Sequence, residues 1–308
     1  MRRTKKAAER EKTDSPEYLH PAARFIPATS MTAGSSLKDM FDASYVDLLS
    51  ESLETVLPGF SSATFRKQSR RGLTELELKA RAKHLGAVIR EHLPSDFSEA
   101  IEILTRSLGP ELTATGGNGM APFFYMPHSC VIEDFPKIDL QSGMQFNHEL
   151  TRRFTAEFSI RRFIIEYPEE SISILSGWTH HANPHVRRLV SEGTRSRLPW
   201  GLRLKVIQQN PMLTVPLLEQ LKDDPELYVR RSVANHIGDM LKDCPQTGYE
   251  ICRRWVSEVR GASIPDAIRN NRYWVIRHAV RLPAKQGESM ALKLRQDAAS
   301  GKQSRASK

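Results

Sequence analysis

The chain of 308 residues carries 45 Lys and Arg against 36 Asp and Glu, a net charge of +9, with 39% hydrophobic residues. That balance suits a globular chain with a sizeable core, and no run approaches the roughly 18 apolar residues a membrane span needs. The first residues are charged rather than signal-like, and Cys130, Cys244 and Cys252 share no C-x-x-C spacing, so a reduced, cytoplasmic protein without a disulfide framework or zinc site is expected.

Residues 1–36 mix charge, Pro, Ser, Gly and Ala without periodicity, and the first twelve hold six Lys or Arg against two Glu. A disordered basic tail is expected there, followed by one helical domain over residues 37–283. Within that domain, residues 74–92 place Leu76, Leu78, Ala82, Leu85, Val88 and Ile89 on one broad stripe that ends before Pro94. Residues 96–108 predict a second amphipathic helix on Phe97, Ala100, Ile101, Leu104 and Leu108, stopped by Gly109-Pro110. The next stretch, TATGGNGMAPFFYMP (113–127), is too irregular for an element, and its glycines lack the strand and the Gly-Lys-Ser/Thr of a phosphate loop. Beyond it the pattern is helix after helix, broken at Pro168, Pro184, Pro211, Pro225, Pro245 and Pro265. Residues 284–308, with six Lys or Arg against two acids, predict a second basic tail.

Charge is unevenly placed. Residues 13–150 carry 12 basic and 18 acidic side chains, whereas residues 151–284 carry 21 basic, 18 of them Arg, against 14 acidic. Arg offers a planar fork that matches phosphate oxygens, so the second half predicts a phosphate-facing surface and a nucleic-acid partner.

Residues 149–168 predict a helix with Phe154, Phe158, Phe163 and Ile164 on its apolar side and Arg153, Glu157 and Arg161 at i, i+4, i+8 on another. Asn183 and Pro184 can open the next helix of interest, with Val186, Leu189, Val190 and Gly193 as its buried stripe. Arg188, Glu192 and Arg195 fall on a different face, with Arg187 and Arg197 beside them. Asp224-Pro225 then opens a second copy: Val229, Val233, Ile237 and Met240 inside, Arg231, Asn235 and Asp239 on the second face, and Arg230 alongside. The two V-R-R triplets lie 43 residues apart, and a fainter copy, Ile276-Arg277, stands 47 beyond Val229-Arg230. Helix pairs recurring at roughly 40 residues predict an α-solenoid of the HEAT or armadillo type, whose second helices line one concave face.

Each singled-out residue has two readings. The arginines either face phosphates or tie neighbouring repeats together through Asp223, Asp224 and Asp243. Glu157 and Glu192, 35 residues apart, with Asn235 a further 43 on, would recur at similar points of the groove; Glu157 then faces a cationic ligand or pairs with Arg153 or Arg161. Trp178 and Trp200 either complete the core or stack on a sugar or base. His180, His181 and His185 lack an acid or cysteine to complete a ligand set, so no metal is expected.

RRFTAEFSIRRF, WTHHANPHVRRLVSEGTRSRLPW, YVRRSVANHIGDMLKDCP and, nearer the front, LELKARAKHLGAVIREHLPSDFSEAIEIL together resemble the HEAT-like-repeat DNA alkylation repair glycosylases, specifically the AlkC branch, over roughly residues 37–283. The resemblance implies an all-α solenoid with duplex DNA in its concave face. It also implies monofunctional removal of cationic N3-alkylated bases, 3-methyladenine above all, with no cofactor. The family's catalytic carboxylate matches Glu157, in T-A-E-F. Where the family carries tryptophan-proline and then an acid, this chain has Met126-Pro127 and Cys130, with Glu133 the nearest acid. A nucleoid-associated monomer without an obligate protein partner is expected, Arg153, Arg161, Arg187, Arg188, Glu192, Arg195, Arg197, Arg230, Arg231 and Asn235 lining the DNA surface and Trp178 or Trp200 packing against the lesion. The open alternative is a repeat protein that binds DNA without chemistry.

Overall fold

Prolines and short polar caps set the helix boundaries. The computed structural model describes residues 19–27, 36–260 and 263–299; among them seventeen α-helices follow one another and no strand occurs. Pro168, Pro184 and Pro245 are each the first residue of a helix, where a missing N–H is harmless. The described residues gather into two compact units that meet in sequence at Ser159 and Ile160.

The first unit holds α1 (Pro21–Arg24), α2 (Ala43–Glu54), α3 (Ser62–Arg70), α4 (Leu78–His92), α5 (Phe97–Arg106), α6 (Met126–Cys130) and α7 (Leu140–Thr151). The two helices predicted near 74–92 and 96–108 are α4 and α5, and the Asp96 carboxylate caps α5 by accepting from Glu99 N at 2.9 Å. Phe41, Tyr45, Leu49, Phe65, Leu85, Phe124 and Phe146 form its fully buried centre. Tyr45 Oη donates to Phe124 O at 2.8 Å. A Cβ on Gly86 would stand 2.8 Å from Cys130 Cβ and 2.9 Å from Pro127 O, so α4 and α6 touch backbone to backbone.

Three expectations change here. The irregular stretch 113–127 ends in a 3₁₀ turn, Ala121–Tyr125, and α6 starts at Met126, because Phe124, Tyr125 and Met126 have a core to enter. Residues 149–168 are not one helix: α7 stops at Thr151 and α8 begins at Ile160. Of the tail predicted over 1–36, residues 1–18 and 28–35 lie outside the described set, but 19–27 are docked. There Phe25 packs at 5.3 Å from Tyr45 and 5.7 Å from Phe124, and His20 reaches Ser107 O at 3.1 Å.

The second unit comprises α8 (Ile160–Glu166), α9 (Pro168–Trp178), α10 (Pro184–Gly193), α11 (Lys205–Gln209), α12 (Val215–Leu221), α13 (Leu227–Asp243), α14 (Pro245–Arg260), α15 (Asp266–Ala279), α16 (Arg281–Lys285) and α17 (Ser289–Asp297). Here the repeat is plain. Helices α10 and α13, which carry the two V-R-R triplets, and α15, which carries the fainter Ile276-Arg277 copy, pack side by side with α13 between the others. Val186, Leu189, Val229, Val233, Ile237, Val275 and Ile276 are wholly buried along that seam. The basic tail expected from residue 284 is helical to Asp297: α17 lies on α14 and α15 and buries Ala291 and Leu294. Residues 300–308 are outside the described set. Among the described residues no helix is long and apolar enough to cross a membrane.

One core group sets an acid limit on stability. His128 is fully buried, and neither ring nitrogen has a hydrogen-bond partner among the described residues. Burial first, and the His20 charge second, push its pKa down from the ordinary 6.5 to about 3. The unfolded chain therefore takes up a proton below pH 6.5 that the fold refuses until about pH 3, so stability falls as pH drops through that window. The urea midpoint is expected to be lower at pH 5 than at pH 7, and His128→Leu to shrink that difference; an unchanged difference would place the acid lability elsewhere.

Candidate nucleic-acid interface

The sequence folds α10 as it does because Asn183 Oδ1 accepts from His185 N at 2.8 Å and Pro184 occupies the first turn. At its far end a Cβ on Gly193 would lie 2.8 Å from the Ile160 side chain, so only glycine lets α10 approach α8 this closely. On the face turned to α13 the polar residues meet in one network. Glu192 Oε1 accepts from Arg195 Nη1 at 2.6 Å and lies 3.6 Å from Arg188 Nη2, while Oε2 accepts from Ser232 Oγ at 2.6 Å. Arg195 Nε donates to Asp239 Oδ2 at 2.8 Å. Glu192 and Asp239 are only 6% and 3% exposed. Burial alone would raise the Glu192 pKa, but the Arg188 and Arg195 charges and the Ser232 hydroxyl outweigh it and hold it below the ordinary value. Glu192 thus keeps its charge under cover, and Arg188 stands over the Tyr228 ring at 5.1 Å.

The remaining arginines separate into two kinds. Arg187 grips Asp224 through Nε at 2.6 Å and Nη2 at 3.0 Å, and its Nη1 donates to the carbonyls of His181 and Ala182 at 2.8 and 2.9 Å. Arg197 Nε donates to Asp243 at 2.6 Å, and Arg230 Nη1 to the carbonyls of Asp224 and Pro225 at 2.5 and 2.7 Å. Arg187 and Arg197 tie neighbouring repeats together, and Arg230 closes the turn that leads into its own helix. Arg161 is a sharper correction. It is 0% exposed, with Nε on Leu202 O at 2.6 Å and Nη1 on Gly193 O and Arg195 O at 3.0 and 2.8 Å. It ties α8 to the loop after α10 and cannot reach a phosphate. In the first unit, Arg153 donates to Gly109 O at 2.5 Å and to Glu149 Oε2 at 3.0 Å. Arg231 differs from all of them: it is exposed and forms no ion pair or hydrogen bond among the described residues. Asn235, one turn on, accepts from Arg281 Nη2 at 3.0 Å.

The loop that Arg161 anchors carries Trp200, 63% exposed beside an equally exposed Leu202. Trp200 has φ +66°, the left-handed region, and is the sole non-glycine so placed among the described residues. Such a conformation costs about 1–3 kcal/mol and persists where the surroundings dictate it. Trp178, the last residue of α9, is half-buried. Trp200→Gly is expected to raise stability by about 1 kcal/mol while weakening DNA binding, read by thermal melting and by titration of a labelled duplex. A loss of stability would mean that the indole holds the loop rather than serving a ligand.

Glu157 sits in the turn between α7 and α8, half-buried, and so does not share a helical face with Arg153 and Arg161. Its Oε2 accepts from Thr155 Oγ1 at 3.0 Å, and the same hydroxyl oxygen accepts from Glu157 N at 3.2 Å. This small closed turn fixes the carboxylate's direction. Glu133 is engaged by Lys83 Nζ at 2.6 Å. Among the described residues no group of three His, Cys, Asp or Glu is arranged to hold a metal ion. Asp239 stands on the face expected for it, but its partner Arg195 lies 44 residues away and Arg281 lies 46 from Asn235, so neither pair can be read from helical spacing.

A helical-repeat protein with paired acids and arginines on adjoining second helices is the class these features define. No family model matches the chain. The uncharacterized protein YhaZ of Bacillus subtilis (strain 168) is 30% identical over 259 residues, 84% of this chain and 67% of that protein. Among solved structures, the Pseudomonas fluorescens alkylpurine DNA glycosylase AlkC, bound to DNA containing an abasic site analog, matches with a TM-score of 0.72 at 30% identity, covering 85% of this chain and 68% of that one. The chain belongs to the AlkC family of alkylpurine DNA glycosylases.

Proposed function

We propose that this protein is a monofunctional glycosylase that excises cationic N3-alkylated bases, 3-methyladenine above all, from duplex DNA. The observation that carries the reading is the 30% identity over 85% of the chain to a glycosylase solved on DNA; the charged faces of α10 and α13 supply a matching surface. The chemistry asks little of the protein at the leaving group. A purine alkylated at N3 is already cationic, so the C1′–N9 bond can break with its electron pair passing to the base, which departs neutral. Positive charge then develops on the sugar, and water adds to C1′ and gives up a proton. A preoriented carboxylate stabilises that charge and can accept the proton. Glu157 is our candidate for it, aimed by Thr155. Arg188 and Arg231 are our candidates for contacts to backbone phosphates, and Trp200 for packing against the lesion.

The test is incubation with methylated duplex DNA and chromatography of the released bases. Free 3-methyladenine together with alkali-labile, still unbroken abasic sites is the expected product. Salt-dependent binding with no free base would replace this reading with that of a damage-binding protein.

A further inference from the structure

The third repeat copy extends the interface. In all three copies the first arginine is fixed internally: Arg187 on Asp224, Arg230 on the Asp224 and Pro225 carbonyls, and Arg277 Nη1 on Ala298 O at 2.6 Å. The second position carries Arg188, Arg231 and, by the same spacing, His278. The pattern therefore brings one basic side chain per helix to the same side of α10, α13 and α15. At the third copy a further guanidinium joins. Arg281 donates to His278 O at 2.6 Å and to Asn235 Oδ1 at 3.0 Å, and Trp274 stacks on His278 at 4.8 Å and 12°.

This cluster brings cations together without a counter-charge among the described residues. Elsewhere in the second unit Arg187, Arg195, Arg197, Arg254, Arg260, Arg269 and Arg272 each meet a carboxylate. Neither Arg231 nor Arg281 has an ion pair among the described residues. The carboxylate that does act on Arg281, Asp239, is already bonded to Arg195 at 2.8 Å and faced by Lys242 at 3.6 Å. Burial first, then the Arg281 and Arg231 charges, push the His278 pKa down to about 4. Like charges held together without an acid destabilise the free protein, and an anion relieves that. Asn235 contributes a neutral oxygen that orients the Arg281 fork without cancelling its charge.

We infer that Arg231 and Arg281, with Asn235 positioning the latter, form a subsite for a backbone phosphodiester of the DNA strand on the α13–α16 segment. This rests on the DNA reading above. The experiment measures binding of wild type, Arg231→Gln, Arg281→Gln, the double variant and Arg231→Lys to a labelled duplex containing an abasic-site analogue, across a KCl series. The double variant is expected to lose about one phosphate's worth of salt dependence, a slope of log K against log[KCl] less negative by about 0.9, with affinity about tenfold weaker at low salt. Arg231→Lys is expected to keep the wild-type slope. Arg231 has no ion pair or hydrogen bond among the described residues, so Arg231→Gln reports on the ligand even if Arg281→Gln lowers the melting temperature. An unchanged slope in both Arg231→Gln and the double variant, with wild type binding DNA and releasing base, overturns the subsite alone. A wild type that binds no duplex overturns the glycosylase reading and the subsite with it.

Discussion

The Glu157→Gln protein is expected to release 3-methyladenine about 10²–10³-fold more slowly than wild type, a loss of roughly 3–4 kcal/mol in transition-state stabilisation. Glutamine keeps the shape of the side chain and can still meet Thr155 Oγ1, so the turn between α7 and α8 stays intact and the melting temperature hardly moves. What disappears is the negative charge that a sugar becoming cationic would meet. Single-turnover release from methylated duplex, with binding to an abasic-site duplex measured in parallel, separates the two effects. Binding is expected near the wild-type value because the charge matters at the transition state rather than in the complex. Release at the normal rate would remove Glu157 from the mechanism.

Arg161→Ala carries the largest expected cost in stability, about 3–5 kcal/mol. Three carbonyls, of Gly193, Arg195 and Leu202, lose a charged donor, each buried acceptor left unmade costs about 1–3 kcal/mol, and a cavity opens beside them. Arg161→Lys rescues only part, since an ammonium cannot span three acceptors as the planar fork does. Arg162 is the built-in comparison: it pairs with Glu166 at 2.8 Å near the surface, and its loss is expected to cost less than about 1 kcal/mol. Denaturant titration of the two alanine variants reads the difference directly. Equal, small losses would show that the loop after α10 holds itself. A drop in Arg161→Ala would also loosen the segment bearing Trp200, so base release should fall with it.

The repeat was legible because its signals are local. Asn183-Pro184 and the two V-R-R triplets name the start and the buried stripe of α10 and α13 within a few residues, and the all-helical class follows from them. The roles of individual arginines were not legible. On a sequence, Arg187 and Arg188 look alike; in the fold one clasps Asp224 and the other lies over Tyr228, because a helix turns neighbouring residues by about 100°. The partners that decide the matter stand 37 to 44 residues away, beyond any helical spacing. Glu157 was misplaced for a different reason. Apolar residues continue through Phe154 and Phe158, so the periodicity does not betray that α7 stops at Thr151 and hands over to a turn closed by Thr155. The amphipathic C-terminal segment was hidden by its lysines, although Ala291 and Leu294 are enough to dock it.

Because Glu192, Arg195 and Asp239 meet out of water, dissolved ions scarcely reach them, whereas an exposed guanidinium such as Arg231 loses most of its pull on a polyanion once the screening length shrinks to about 3 Å near 1 M salt. Brine should therefore wash carried-over host DNA from the protein during purification without unlocking the joint between α10 and α13, and a sample cleaned in this way should regain its activity on dialysis.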